Sequence, residues 1–201
     1  RDIDLTSLTD ELALDGARLA GRASGWNRMS WPRGRFSEHE GEGHLEAAPP
    51  EGVPLQDGPV VQSNRARGPR EAAPSAPFRR FSVGGLANYR LGPEWVDFER
   101  GNWVATPRTR ILFEGRTAYG GNSEIPFHVT SIDWQESDQV LAGLLTAFGR
   151  PTSEVEVAGR GTFDGVMQGS FSSPRIEGAF VADGLRLWDV LWGRWTGDVI
   201  V

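Results

Sequence analysis

Two side chains are missing altogether from this 201-residue sequence. There is no cysteine, which excludes disulfides and thiolate metal sites but fixes no compartment, since oxidising compartments also hold cysteine-free proteins. There is no lysine: all 21 cations are arginine, as a GC-rich coding sequence would give. Without lysine no G-x-x-x-x-G-K-[ST] phosphate loop can exist. No apolar run approaches the ~20 residues of a membrane-spanning helix, and no signal-peptide pattern is present. Positive charge is scarce as well, with 27 acids giving a net charge of -6. Nucleic acid is therefore not an expected partner, because phosphate neutralisation needs a clustered basic surface. Mean hydropathy is -0.39, low for a closed globular core but not the composition of a wholly disordered chain.

What is plentiful is glycine, 26 residues, and proline, 13, the mark of many short strands and frequent turns. Residues 153–201 carry the clearest pattern. Val155, Val157, Phe163, Ile176, Phe180, Leu185, Leu187, Trp195, Val199 and Val201 recur at every second position within their runs. Strand side chains alternate between faces, so this spacing builds one apolar and one wet face. Asp164-Gly165, Ser172 to Pro174, Asp183-Gly184 and Gly193 read as the turns between runs. A two-residue turn at Asp164-Gly165 would set Met167 and Phe171 on the opposite face. A longer turn or a bulge brings both inside, and that register is the expectation. The sequence therefore predicts a mainly β fold: a curved, groove-like antiparallel sheet of repeated hairpins.

Earlier in the chain, residues 1–47 read as a β-strand segment. Residues 2–14 look like strand, turn, strand, and residues 35–47 like a polar strand, either an edge or a wet one. Residues 48–77 hold seven of the 13 prolines and read as a loop or linker, with a short strand conceivable at Val60-Val61. Residues 78–201 form the groove segment, with Pro126 arguing for an edge strand at 123–130. One amphipathic helix interrupts it at 134–148. Asp133 and Glu136 outline a capping box, with Ser137 the other candidate cap, Val140, Leu141, Leu144, Leu145 and Phe148 form an apolar stripe covering part of the sheet, and Gly149 and Pro151 end it. Gly101, Trp103, Pro107, Ile111 and Gly115 echo faintly in Gly169, Phe171, Pro174, Ile176 and Gly178, a weak internal repeat.

Little points to catalysis. His39 and His44 are five residues apart, with two glycines between, so they share neither a helix face nor a strand face, and no metal or other cofactor is expected. No G-x-S-x-G elbow occurs, the acids are scattered, and the protein does not read as an enzyme. Eight tryptophans read mainly as packing and rim residues. Trp188, Trp192 and Trp195 gather at one turn, where several large rings cannot all be interior.

Pro174, Ile176 and Gly178, then the alternating Phe180 to Leu187, then Trp195 to Val201, resemble the repeats of TamB and AsmA-like envelope proteins. The likeness covers 153–201 well, with fainter traces at 78–119 and 5–21, and its motif is degenerate. The proline-rich loop and the helix depart from a pure repeat. The resemblance implies a long periplasm-spanning protein anchored to the inner membrane, a taco-shaped sheet with an apolar inside, and a role in phospholipid transport between membranes or in outer-membrane protein assembly with a barrel partner. It brings no catalytic residues. The start at Arg1 and the end inside a strand pattern suit a piece of a longer chain. On this reading the alternating residues, with Phe171, line a trough for acyl chains. A carbohydrate-binding or adhesion β-sandwich, with tryptophans as sugar platforms, is the alternative. An outer-membrane barrel fragment fits less well, because the alternate faces are rich in Arg and Glu.

Overall fold

The computed structural model describes residues 3–11, 18–57, 80–118, 123–147, 153–170 and 173–200. In chain order these form β1 (Ile3–Asp4), α1 (Leu5–Glu11), β2 (Arg18–Ala20), β3 (Arg22–Ser30), a 3-10 turn (Phe36–Glu38), β4 (Glu40–Ala48), β5 (Arg80–Ser82), β6 (Gly84–Leu91), β7 (Trp95–Ala105), β8 (Thr109–Ala118), β9 (Ser123–Ser131), α2 (Trp134–Ala147), β10 (Val157–Ser170), β11 (Ser173–Leu187) and β12 (Val190–Ile200). Strands make up 67% of the structure, and the main sheet is antiparallel, curved and not closed. Its ten strands run in the order β1-β3-β4-β6-β7-β8-β9-β10-β11-β12, and β2 and β5 make a separate parallel pair. Strands on both sides of the proline-rich stretch share this sheet, because β4 pairs directly with β6. Of that stretch, residues 49–57 are a turn and irregular chain, and Val60-Val61 lie outside the described residues.

Several expectations are corrected. The first segment is not strand, turn, strand, because Leu5–Glu11 is a helix. Asp4 caps it, its Oδ1 accepting the Thr6 and Ser7 N–H at 2.8 and 3.1 Å. Those backbone donors, Ser7 foremost, hold the Asp4 carboxyl below its usual value. Leu5 and Leu8, three apart after an Asp, carry the helical signal that a strand reading overlooks. The polar strand β4 is interior, flanked by β3 and β6. Its glycines make room for a neighbour, since a Cβ on Gly43 would lie 2.3 Å from the Tyr89 ring. Pro126 also sits in an interior strand, between β8 and β10. It is tolerated because the β8–β9 ladder lapses at Glu114 and Gly115, where Gly115 takes φ 107.

The turns foreseen at Asp164-Gly165, Asp183-Gly184 and Gly193 are not turns between strands. β10 runs unbroken for 14 residues and β11 for 15. Gly165 pairs across with Phe127 and Gly178 and lies under the ring of Phe163. Asp183 and Gly184 fall at a β-bulge, and the chain reverses instead at Trp188 and Asp189.

The helices, β2 and β5 gather at one end of the sheet. Leu5, Phe81 and Val83 form a small buried cluster there, with Ala23 of β3, Ala47 of β4 and Val140 of α2 packed on it. The other end of α2 rests on β11, where the Trp134 and Phe180 rings are 5.0 Å apart. β4 and β11 are six strand spacings apart, about 29 Å on a flat sheet. Trp134 and Val140 are separated by about 9 Å of helix. One short helix and its cluster reach both because the sheet curls toward them.

Candidate functional site

The strand registers decide which side chains share a face. Phe163 pairs with Phe180 on one side and Val129 on the other, and Met167 with Ile176 and Ile125. Ile111 pairs with Val129 and Val104, and Phe113 with Phe127. Trp195 pairs with Ala182, and Val199 with Gly178. Following these rows across β7 to β12 gives one face made of Val, Ile, Leu, Met, Phe and Trp with small residues between. The same rows shifted by one residue give the other face: Asp97 beside Arg116, His128 beside Asp164, Arg160 beside Asp183.

The side chains predicted to line a groove fall as follows. Val157, Phe163, Ile176, Phe180, Leu185, Leu187, Trp195 and Val199 lie on the apolar face. Val157 sits opposite Leu187, and Leu185 opposite Gly193 beside the bulge. Leu185 is 3% exposed, while the other seven are half-buried. Val155 is corrected: it precedes β10, in irregular chain held by Asp138, and is 51% exposed. Phe171 and Val201 lie outside the described residues. Because β10 is continuous, Met167 shares the face of Phe163, the register foreseen, although through an unbroken strand and not a longer turn. Phe127, Phe163, Phe180 and Trp195 step across four strands with ring centroids 5.6 to 6.5 Å apart. Phe98, Phe113, Ile125, Phe127 and Val129 belong to this surface too. Their alternation is visible in the sequence, but only the register joins them to residues 153–201.

The helix packs on this face, and of the stripe foreseen Val140 takes part while Leu141 does not. Trp134 and Ala142 are buried and Val140 joins the cluster, whereas Leu141 is 49% exposed. Leu144 and Leu145 fall within the helix, and Phe148 lies outside the described residues. The seating is polar. Glu136 does not close a capping box. It accepts from the Thr106 hydroxyl and the Arg108 N–H of the β7–β8 turn, while Arg108 pairs with Asp133. The Thr109, Ser131 and Ser137 hydroxyls interlock at 2.7 to 3.3 Å. Register and these bonds together place α2 across one end of the apolar face.

The charged face holds a shallow hollow of about 810 Å³, lined by side chains that include Leu112, Glu114, Pro126, His128 and Asp164. Its polar groups pair with one another: Glu114 with the Arg100 guanidinium, and Asp164 with the His128 ring nitrogen. His128 also reaches the Thr130 hydroxyl at 3.1 Å. Thr130 is 7% exposed, and the trio ties β9 to β10 across the sheet. Among the described residues no group of His, Asp and Glu could hold a metal ion. His44 bonds Asn88 and His39 the Phe36 carbonyl. Of the tryptophans at the last turn, Trp195 joins the aromatic steps, while Trp188 and Trp192 are exposed.

Comparison with protein-family models, with curated proteins and with solved structures gives no match to this chain.

Proposed function

We propose that the apolar face of β7 to β12 holds lipid acyl chains, and that the chain is a segment of a TamB/AsmA-like envelope protein carrying phospholipid between inner and outer membranes or supporting outer-membrane protein assembly. One observation carries the reading. A broad apolar face, half-exposed along four neighbouring strands, curls under a single helix at one end, and among the described residues no second large sheet covers it. Exposing a lipid tail to water costs about 0.8 kcal/mol per methylene, so a ~16-carbon chain loses on the order of 12 kcal/mol. A continuous apolar surface removes most of that cost and needs no directional chemistry. Aliphatic and aromatic side chains of several strands suffice. The resemblance of residues 174–187 and 195–201 to that family's repeats supports the same reading, as does the charged outer face, which suits water. In the full-length protein the segment would face the periplasm, anchored at the inner membrane. The alternative, a carbohydrate-binding sandwich, requires a second packed sheet, and the described residues hold only the β2–β5 pair beside the main one.

The test is lipid analysis of the purified protein, followed by delipidation and reloading with a fluorescent fatty acid. Co-purifying phospholipid, and uptake that falls at least tenfold in Phe163→Glu and Phe180→Glu, is the expected result. A lipid-free protein that takes up no fatty acid would overturn the proposal.

A further inference from the structure

Along its strands the apolar face has two ends, and they are built differently. At one end α2 crosses the sheet. Trp134 lies on Phe180 of β11, with ring centroids 5.0 Å apart. Ser137 stands over β8 and β9, its hydroxyl bonded to those of Thr109 and Ser131 at 2.7 and 2.8 Å. Val140 reaches the buried cluster of Leu5, Phe81 and Val83. The strand residues at this end, Thr109, Ser131 and Ala182, are buried. The other end has no such cover among the described residues. Thr117 and Ser123 close the face there by bonding to each other at 2.8 Å, with Gly169 opposite Ser123.

Between these two hydroxyl-bearing ends the face is apolar, with Val129, Phe127 and Ile125 on β9 and Phe163 and Met167 on β10. Val129 is level with Phe163, which is level with Phe180 under Trp134. From Val129 to Ser123 is about 20 Å of strand. A lipid tail in one leaflet spans half of a hydrocarbon core about 30 Å thick, or about 15 Å. The strip therefore takes one tail lengthwise, and α2 stands across its path. The hydroxyls under α2 are bonded to one another, and what a tail meets at that end is Trp134 on Phe180. A methyl terminus suits such a wall. A headgroup needs water, which the uncovered end offers.

We propose that Trp134 is an end stop that sets the longest tail the face accepts, with tails lying along the strands, methyl end against α2 and headgroup at the Thr117–Ser123 end. The inference rests on the acyl-chain reading of this face.

The test displaces a fluorescent fatty acid with saturated fatty acids of increasing length. Affinity should rise about fourfold per added methylene and stop rising once the methyl end meets Trp134. In Trp134→Ala the rise should continue to longer tails. A second measurement uses the unaltered protein and decides the matter even if Trp134→Ala fails to fold. A fatty acid with a diazirine at its methyl end should label Trp134, Phe180 or Val129. One with the diazirine beside the carboxylate should label Thr117, Ser123 or Ile125. An affinity that rises without limit, a limit unmoved in Trp134→Ala, or two probes that mark the same residues would overturn the end stop and leave acyl-chain binding standing. No uptake at any length would overturn both.

Discussion

Trp134 ties the cap to the sheet. It is buried against Phe180, yet among the described residues its indole N–H has no hydrogen-bond partner. A buried, unpaired donor costs about 1–3 kcal/mol, which the ring's packing must outweigh. Trp134→Phe keeps an aromatic ring on Phe180 and removes the orphan donor, so stability should change by less than about 1 kcal/mol. Trp134→Ala should cost about 3–5 kcal/mol. Urea unfolding midpoints measure both, and equal losses would mean that the indole N–H is satisfied after all. At this scale the sequence was partly legible. Trp134 could be taken as a packing residue, but Phe180, 46 positions away, could be named its partner only once the sheet's curl was known. The helix Leu5–Glu11 escapes a strand reading because a lone acid before two leucines serves a strand pattern as readily as a helix cap.

Among the elements, β6 and β7 pair imperfectly, and one side chain repairs the fault. The register shifts between Leu86 and Tyr89. Asn102, fully buried, fills the gap: its Oδ1 accepts the Asn88 N–H at 2.7 Å and its Nδ2 donates to the Asn88 carbonyl at 2.9 Å. Asn102→Ala orphans both groups and should cost about 2–6 kcal/mol, read from the same unfolding midpoints. A loss under ~1 kcal/mol would mean that water replaces the side chain. Strand existence was legible throughout residues 78–118, because alternation is a local property. Strand ends were less so. Asp164-Gly165 has the composition of a hairpin turn, but its glycine instead makes room for the Phe163 ring within a long ladder. Local turn chemistry yields when both flanking strands have partners for every residue. The glycine-rich β4 misled in the same way, since its small residues mark a bed for Tyr89 and not a weak edge.

At the scale of the whole molecule, the one-sided sheet follows from alternation, and the sequence carried that much. It did not carry the order of ten strands, the position of α2 across one end, or the union of residues 104–129 with 163–199 on one face, because each depends on pairings between distant segments. The buried cluster at the capped end is small, and most of the apolar face is left to its own aromatic contacts. A fold of this kind keeps an apolar surface available along its strands at the expense of a closed core. The direct test puts a photo-reactive benzoylphenylalanine at Ile176 or Phe163, and for comparison at Val166 or Val181 on the opposite face. After irradiation in cells, mass spectrometry of the purified protein should find phospholipid adducts at Ile176 and Phe163 and none at Val166 and Val181. Adducts at neither face, or equally at both, would contradict the account.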